Sequence, residues 1–235
     1  MDKIAKQKFN IILVVDVSKS MQGSRIEQVN AAIKDIVDYL NDLQVENTNV
    51  DFYLSILKFG TDASWHLNER SINVNEFKYE PIKAYGQSNL HLAYHELNEV
   101  LKKESKGGMM PDFGGVAPII LLLSDGHPSK GNIKEELELL RCKPWFKVAL
   151  KYGIAIELND RRTMNILRDF TSNNGDVITV YDSNLLKKII KIIVLTASKV
   201  KSTSSSIHKT NKTSFTVMVQ QEIQEALQDV DNYEW

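Results

Sequence analysis

The chain has 235 residues, 43% of them hydrophobic and 25% charged, which is the composition of a soluble globular protein and excludes both wholesale disorder and a fibrous repeat. With 29 Lys and Arg against 30 Asp and Glu, the net charge of −1 provides no general attraction for nucleic acid or acidic lipid. A single cysteine, Cys142, excludes a disulfide framework and a four-cysteine zinc site, and points to a reducing compartment.

The basic N-terminus followed by apolar Phe9–Val15 faintly resembles a secretory leader, but Asn10 and Asp16 interrupt it and no small-residue cleavage site follows. No apolar run is long enough to cross a bilayer, so a cytoplasmic protein with no membrane partner is expected.

Ile11–Val15 is an unbroken aliphatic run, which suits a strand buried on both faces. From Ile26 the apolar positions Val29, Ile33, Ile36, Val37, Leu40 and Leu43 recur every three or four residues, with Lys34, Asp35, Asp38 and Asp42 opposite, and predict a long helix. Phe52, Leu54 and Ile56 mark a second strand ending at Lys58-Phe59-Gly60, with a short partner around Trp65–Leu67. Leu90–Leu101 reads as helix. Ala117–Ser124 repeats the buried-strand signature and breaks at Asp125-Gly126-His127-Pro128. Beyond it the pattern predicts helix at 133–140, strand at 146–156, helix at 161–170, strand at 177–181 and helix at 185–197. Such alternation implies an α/β fold, three layers deep and Rossmann-like, whose mostly parallel sheet carries helices on both faces and one antiparallel edge strand.

Residues 1–198 therefore form the main domain. The stretch 199–214, rich in Lys, Ser and Thr, reads as a flexible linker. In 215–235, Phe215, Val217 and Val219 alternate before Ile223, Leu227 and Val230 take near-helical spacing, which suggests a segment docking on the main domain or on a partner.

Chemistry concentrates where the two most hydrophobic strands end. Asp16-Val17-Ser18-Lys19-Ser20 follows the first and Ser124-Asp125-Gly126 the second, so parallel neighbours would bring Asp16 and Asp125 into one crevice. Two carboxylates that close repel, and a cation relieves the repulsion. A shell of carboxylates, hydroxyls and water suits Mg²⁺. The loop Gly86-Gln87-Ser88-Asn89-Leu90 offers a further hydroxyl.

These three stretches, in this order, resemble the metal-ion-dependent adhesion site of von Willebrand factor type A domains. The resemblance covers residue 9 to about 200 and is nearest to small bacterial proteins of tellurite-resistance and stress operons, the TerY-like branch. Ser24-Arg25-Ile26-Glu27-Gln28-Val29-Asn30, Trp145-Phe146, Ile154-Ala155-Ile156 and the Ser-rich tail also match that branch. The resemblance implies Ser18, Ser20 and Ser88 as hydroxyl ligands and Asp16 and Asp125 as direct or water-mediated ligands of Mg²⁺, with Mn²⁺ or Ca²⁺ as substitutes. It also implies an open coordination position that accepts a partner's carboxylate, in an adaptor that catalyses nothing. Tyr85, Gln87, Asn89 and His127 would form the rim that meets the partner. Ser88, Asn89 and Ser124 depart from the residues usual in the family, Thr, Asp and Thr, but all keep oxygen atoms.

The TerY-like branch further implies kinase-like and phosphatase-like partners. Phosphorylation at Ser202, Thr203, Ser204, Ser205 or Ser206 would add about −1.5 to −2 charges beside Lys199, Lys201 and Lys209, and could control docking of the tail.

Asp, Ser and Gly after a strand are also ordinary turn and cap residues. An Asp-x-Ser-x-Ser alone arises by chance in about one chain in twenty of this size. It is the combination with a second Ser-Asp-Gly strand end and the Gly-x-Ser loop that carries the reading. The alternative is a metal-dependent phosphatase or hydrolase with His127 as general base. A Ser124–Asp125–His127 triad is excluded by the closeness of its members, and no nucleotide-binding motif occurs. His91 and His95 read as surface or packing residues.

Overall fold

The computed structural model describes residues 6–46, 49–126, 128–129, 131–158, 161–172, 176–202 and 217–225; the side chains of 162–163 and 196–202 lie outside the description. The first strand, β1 (Gln7–Asp16), leads through a 3₁₀ turn into α1 (Ser24–Glu46) and then β2 (Val50–Phe59). Two short strands, β3 (Ala63–Trp65) and β4 (Ile72–Asn73), precede α2 (Leu90–Val100) and β5 (Ile119–Ser124). The chain continues through α3 (Ile133–Arg141), α4 (Pro144–Val148), β6 (Leu150–Ile156), α5 (Arg161–Thr171), β7 (Val177–Val180) and α6 (Ser183–Ser202). Residues 217–225 are also helical.

The sheet order is β3-β2-β1-β5-β6-β7. All pairings from β2 through β7 are parallel, and the expected antiparallel edge is made by β3 and β4, which both pair with β2. Because side chains alternate across a pleated strand, the central strands feed two separate cores. Ile11, Leu13 and Val15 face α1 and α6, while Ile12 and Val14 face the core built from α2, α3, α4 and α5. Both faces are thereby covered, which is why β1 and β5 read as continuous aliphatic runs. Gly153 of β6 permits one close approach: a Cβ there would lie 2.9 Å from the Cβ of Leu167 on α5.

One expectation needed revision. The stretch expected to be strand from Phe146 onward is helical to Val148, because Pro144 occupies the first helical turn and presets its φ; β6 starts only at Leu150. In the tail, whose sequence leaves docking in cis or on a partner open, the described residues 217–225 are helical. Val219 and Ile223, one helical turn apart, are 0% and 3% exposed within the core on the α1 and α6 side, so this segment packs in cis. Helix α6 runs through Ser202, four residues into the stretch read as linker, and 203–214 lie outside the described residues. No helix among the described residues is long and apolar enough to cross a membrane.

Candidate metal centre

Strand order reverses between β1 and β5: β1 hands the chain through α1 to β2 on one side, and β5 hands it to β6 on the other. A crevice outside the carboxyl ends forms at such a switch point. Val15 pairs with Leu123 in the parallel ladder, so Asp16 and Ser124 leave the sheet side by side. The third stretch is held in part by backbone contacts. The Tyr85 N–H donates to the Val17 carbonyl at 2.6 Å, the Lys19 N–H to Gly86 O at 3.0 Å, and the Asn89 N–H to Gly60 O at 3.0 Å.

All five residues that the sequence singles out as ligands converge here. The Ser18 N–H donates to Asp16 Oδ1 at 2.9 Å. Ser88 Oγ and Ser124 Oγ donate to Asp16 Oδ2 at 3.0 and 2.8 Å. Ser20 Oγ donates to Asp125 Oδ1 at 2.9 Å, and a 3.0 Å contact joins the Ser18 and Ser20 hydroxyls. A hydroxyl has one proton, so with Ser20 committed to Asp125, Ser18 is the donor in that contact.

This proton arrangement is the test of fit for a cation. The hydroxyls of Ser20 and Ser88 donate hydrogen bonds to carboxylates and that of Ser18 to a neighbouring hydroxyl, which leaves oxygen lone pairs for an ion. Among the described residues no three His, Cys, Asp or Glu side chains gather to hold a metal, so hydroxyls and water must complete the shell of any ion bound between Asp16 and Asp125. Such an all-oxygen set favours a hard divalent cation. Asp16 is fully buried and Asp125 is 3% exposed. Burial pushes the Asp16 carboxyl above its ordinary value, an effect only partly offset by the bonds from Ser18, Ser124 and Ser88.

The rim residues divide. Tyr85 is 55% exposed beside the crevice and Gln87 is exposed, with its N–H on Thr61 Oγ1 at 3.2 Å. Asn89 commits its side-chain N–H to the Thr61 carbonyl at 2.9 Å, which fixes the loop. His127 lies outside the described residues, as do Thr203, Ser204, Ser205 and Ser206; Ser202 ends α6 and its side chain is not described. His91 and His95 do not pair: Nδ1 of His91 is buried without a hydrogen-bond partner among the described residues, and His95 faces Glu136 at 3.7 Å.

Several residues at the site had no assigned role in the sequence. Ser129 accepts the Ser88 N–H at 3.2 Å, and Thr61 anchors the 85–89 loop. More unexpected is the start of α1. Arg25 pairs with Asp125 Oδ2, donates to the Ser20 carbonyl at 3.1 Å and reaches Glu157 Oε2 at 3.1 Å. Asn30 accepts from the Ile82 N–H at 2.9 Å and from the Tyr79 hydroxyl at 2.6 Å, so it holds the chain leading to Tyr85. The Ser24–Asn30 stretch thus braces all three loops.

The sequence pattern of the von Willebrand factor type A domain matches residues 10–192. The chain belongs to this family. Relatives include inter-alpha-trypsin inhibitor heavy chain H1 of Bos taurus, 23% identical over 77% of this chain, and heavy chain H2 of Mesocricetus auratus, 31% identical over 53%. The chain spans only 20% and 13% of those proteins. Among solved structures, proximal thread matrix protein 1 of the mussel byssus with a zinc-occupied metal-ion-dependent adhesion site superimposes with a TM-score of 0.58 at 18% identity, over 82% of this chain and 48% of that one. BatB from Bacteroides thetaiotaomicron gives 0.55 at 17% identity, over 81% and 98%. At these identities the structures establish the type A fold alone. The relatives do not single out the TerY-like branch, and its implications are taken up only as proposals.

Proposed function

We propose that this type A domain is a metal-dependent interaction module. A divalent cation held by Asp16, Ser18, Ser20, Ser88 and Asp125 would supply an electrophilic centre on which a partner protein seats an acidic side chain. The observation that carries this reading is one hydrogen-bonded cluster: the hydroxyls of Ser18, Ser20 and Ser88, from two distant stretches, meet the carboxylates of Asp16 and Asp125 and act as donors within it, so their oxygens keep lone pairs for an ion. Mg²⁺ is the proposed ion. The site needs no nucleophile or general base for this role, and Tyr85 and Gln87 stand where a partner would pass.

The proposed setting is a bacterial cytoplasmic stress-response complex, with kinase-like or phosphatase-like partners and phosphorylation of Ser202–Ser206. It rests on the TerY-like motifs and on the free thiol of exposed Cys142, which suits a reducing compartment. Phosphate found on the tail by mass spectrometry of native protein under stress would support the regulatory part, and its consistent absence would remove it.

The direct experiment is capture of partners by wild type and Asp16→Ala, each with and without chelator. Capture should require both Asp16 and metal, while the variant keeps a folded spectrum. Equal capture in all four arms would overturn the reading.

A further inference from the structure

The contact between Arg25 and Asp125 follows neither from the metal reading nor from the sequence motifs. Asp125 has a fully enclosed side chain, and one of its oxygens carries a guanidinium while the other accepts the Ser20 hydroxyl. Arg25 is 30% exposed, so water screens only part of its charge. Its position is held from three sides, by Asp125, the Ser20 carbonyl and Glu157.

Glu157 is itself built into place. It leaves β6 with φ of 50°, a left-handed conformation unusual for a residue with a side chain, while its N–H stays on the Val180 carbonyl at 2.7 Å. That bend brings its carboxylate to the first turns of α1, where Ser24 Oγ donates at 3.3 Å and the Gln28 amide and Arg25 Nε also donate. Arg25 is therefore a fixed charge, partly balanced by Glu157 on the side away from Asp125.

On this basis we infer that Arg25 is a resident counter-cation of the metal site, which shares Asp125 with the divalent ion and weakens the ion's binding. The inference rests on the metal reading above. Without a divalent ion, the enclosed carboxylate of Asp125 needs a nearby positive charge, and Arg25 supplies one. When an ion enters, it meets a carboxylate already paired, and the two cations repel across a short, poorly screened distance. Because the guanidinium already offsets Asp125, more of the ion's own charge is left to attract an anionic partner at the crevice. Affinity for the ion is exchanged for attraction of a partner's carboxylate.

The charges make opposite predictions for two neighbours. Removing the guanidinium charge in Arg25→Gln should tighten Mn²⁺ binding about tenfold. Glu157→Gln leaves the guanidinium unbalanced and should weaken binding about threefold or more. A simple role for Arg25 in holding Asp125 in place predicts weakening in both. Arg25→Lys keeps the charge without the fork and should stay near wild type.

The test is calorimetric titration of the full chain with Mn²⁺ alone, paired with thermal melting in chelator. The expected result is tighter binding by Arg25→Gln, weaker binding by Glu157→Gln, and a lower melting temperature for Arg25→Gln in chelator that saturating Mn²⁺ erases. Equal or weaker Mn²⁺ binding by folded Arg25→Gln, with wild type binding normally, would overturn the inference and leave the metal reading intact. Heat from Arg25→Gln but not from wild type would support it strongly. No heat from wild type, Arg25→Gln and Arg25→Lys alike would overturn the metal reading, and this inference with it.

Discussion

Ser88 and Asp16 lie 72 residues apart in the chain, and a buried 3.0 Å hydrogen bond joins the hydroxyl of one to the carboxylate of the other. Ser88→Ala removes a proposed ligand and one of two hydroxyl donors to Asp16 Oδ2, the other being Ser124. A hydrogen bond to a charged acceptor contributes about 1.5–3 kcal/mol. At about 1.4 kcal/mol per factor of ten, a loss of that size should lower Mn²⁺ affinity at least tenfold, as calorimetry would read it. Ser88→Thr keeps the hydroxyl and should bind close to wild type. Equal affinity for Ser88→Ala and wild type would remove Ser88 from the ligand set.

The raised Asp16 carboxyl gives a pH dependence whose sign depends on metal. In the metal-free protein, burial makes the folded state hold the Asp16 proton more tightly than the unfolded chain, whose group titrates near 3.8. Stability from this group is therefore complete below that value and is lost as pH rises through the higher folded value. In chelator, wild type should lose stability relative to Asp16→Asn as pH is raised from about 4 toward neutrality. With metal the order reverses, because an ion competes with the proton and its affinity should climb over the same interval. Melting curves across pH, with chelator and with Mn²⁺, check both; a pH-independent difference between the two proteins in chelator would show that Asp16 titrates normally.

Much of this architecture is written locally. The aliphatic runs 11–15 and 119–123 need cover on both faces, and that requirement alone argues for a parallel sheet whose ends carry Asp16 and Asp125. The five proposed ligands were legible because each sits at a strand end or in a loop with its own turn signature. Arg25 and Glu157 were not, since a pair 132 residues apart has no periodic trace and Glu157 reaches α1 only through a left-handed bend. Residues 144–148 misled because apolar Trp145 and Phe146 fit strand and helix alike, and Pro144 decided between them. In the tail, the near-helical spacing from Ile223 was legible but not where it would dock; one helical face carries Val219 and Ile223 into the core.

That face leads to a stability prediction separate from the metal. Ile223 is buried in the core against which α1 and α6 also pack, so Ile223→Ala should cost about 2–4 kcal/mol of unfolding free energy. Mn²⁺ affinity of the folded variant should be unchanged, because the site is built from other stretches of the chain. Denaturant titration measures the first and calorimetry the second. A loss well under 1 kcal/mol would mean that 217–225 does not pack on the domain in solution.

Gly86 offers the sharpest test of how the 85–89 loop is held. Its φ is 80°, and a Cβ at this position would lie 2.1 Å from Thr61 Oγ1, the atom that accepts the Gln87 N–H. Gly86→Ala therefore imposes both backbone strain and a clash with the anchor of the loop. The strain is confined to an exposed turn beyond the sheet, so the core should survive with a loss of about 1–3 kcal/mol. Displacement of the loop would carry Ser88 away from Asp16, and Mn²⁺ affinity should drop at least as far as in Ser88→Ala. Thr61→Ala removes the clashing hydroxyl, so the double variant should recover part of the lost affinity despite losing the Gln87 contact. If the double variant binds no better than Gly86→Ala, backbone strain alone accounts for the loss and the Thr61 contact does not set the loop's position.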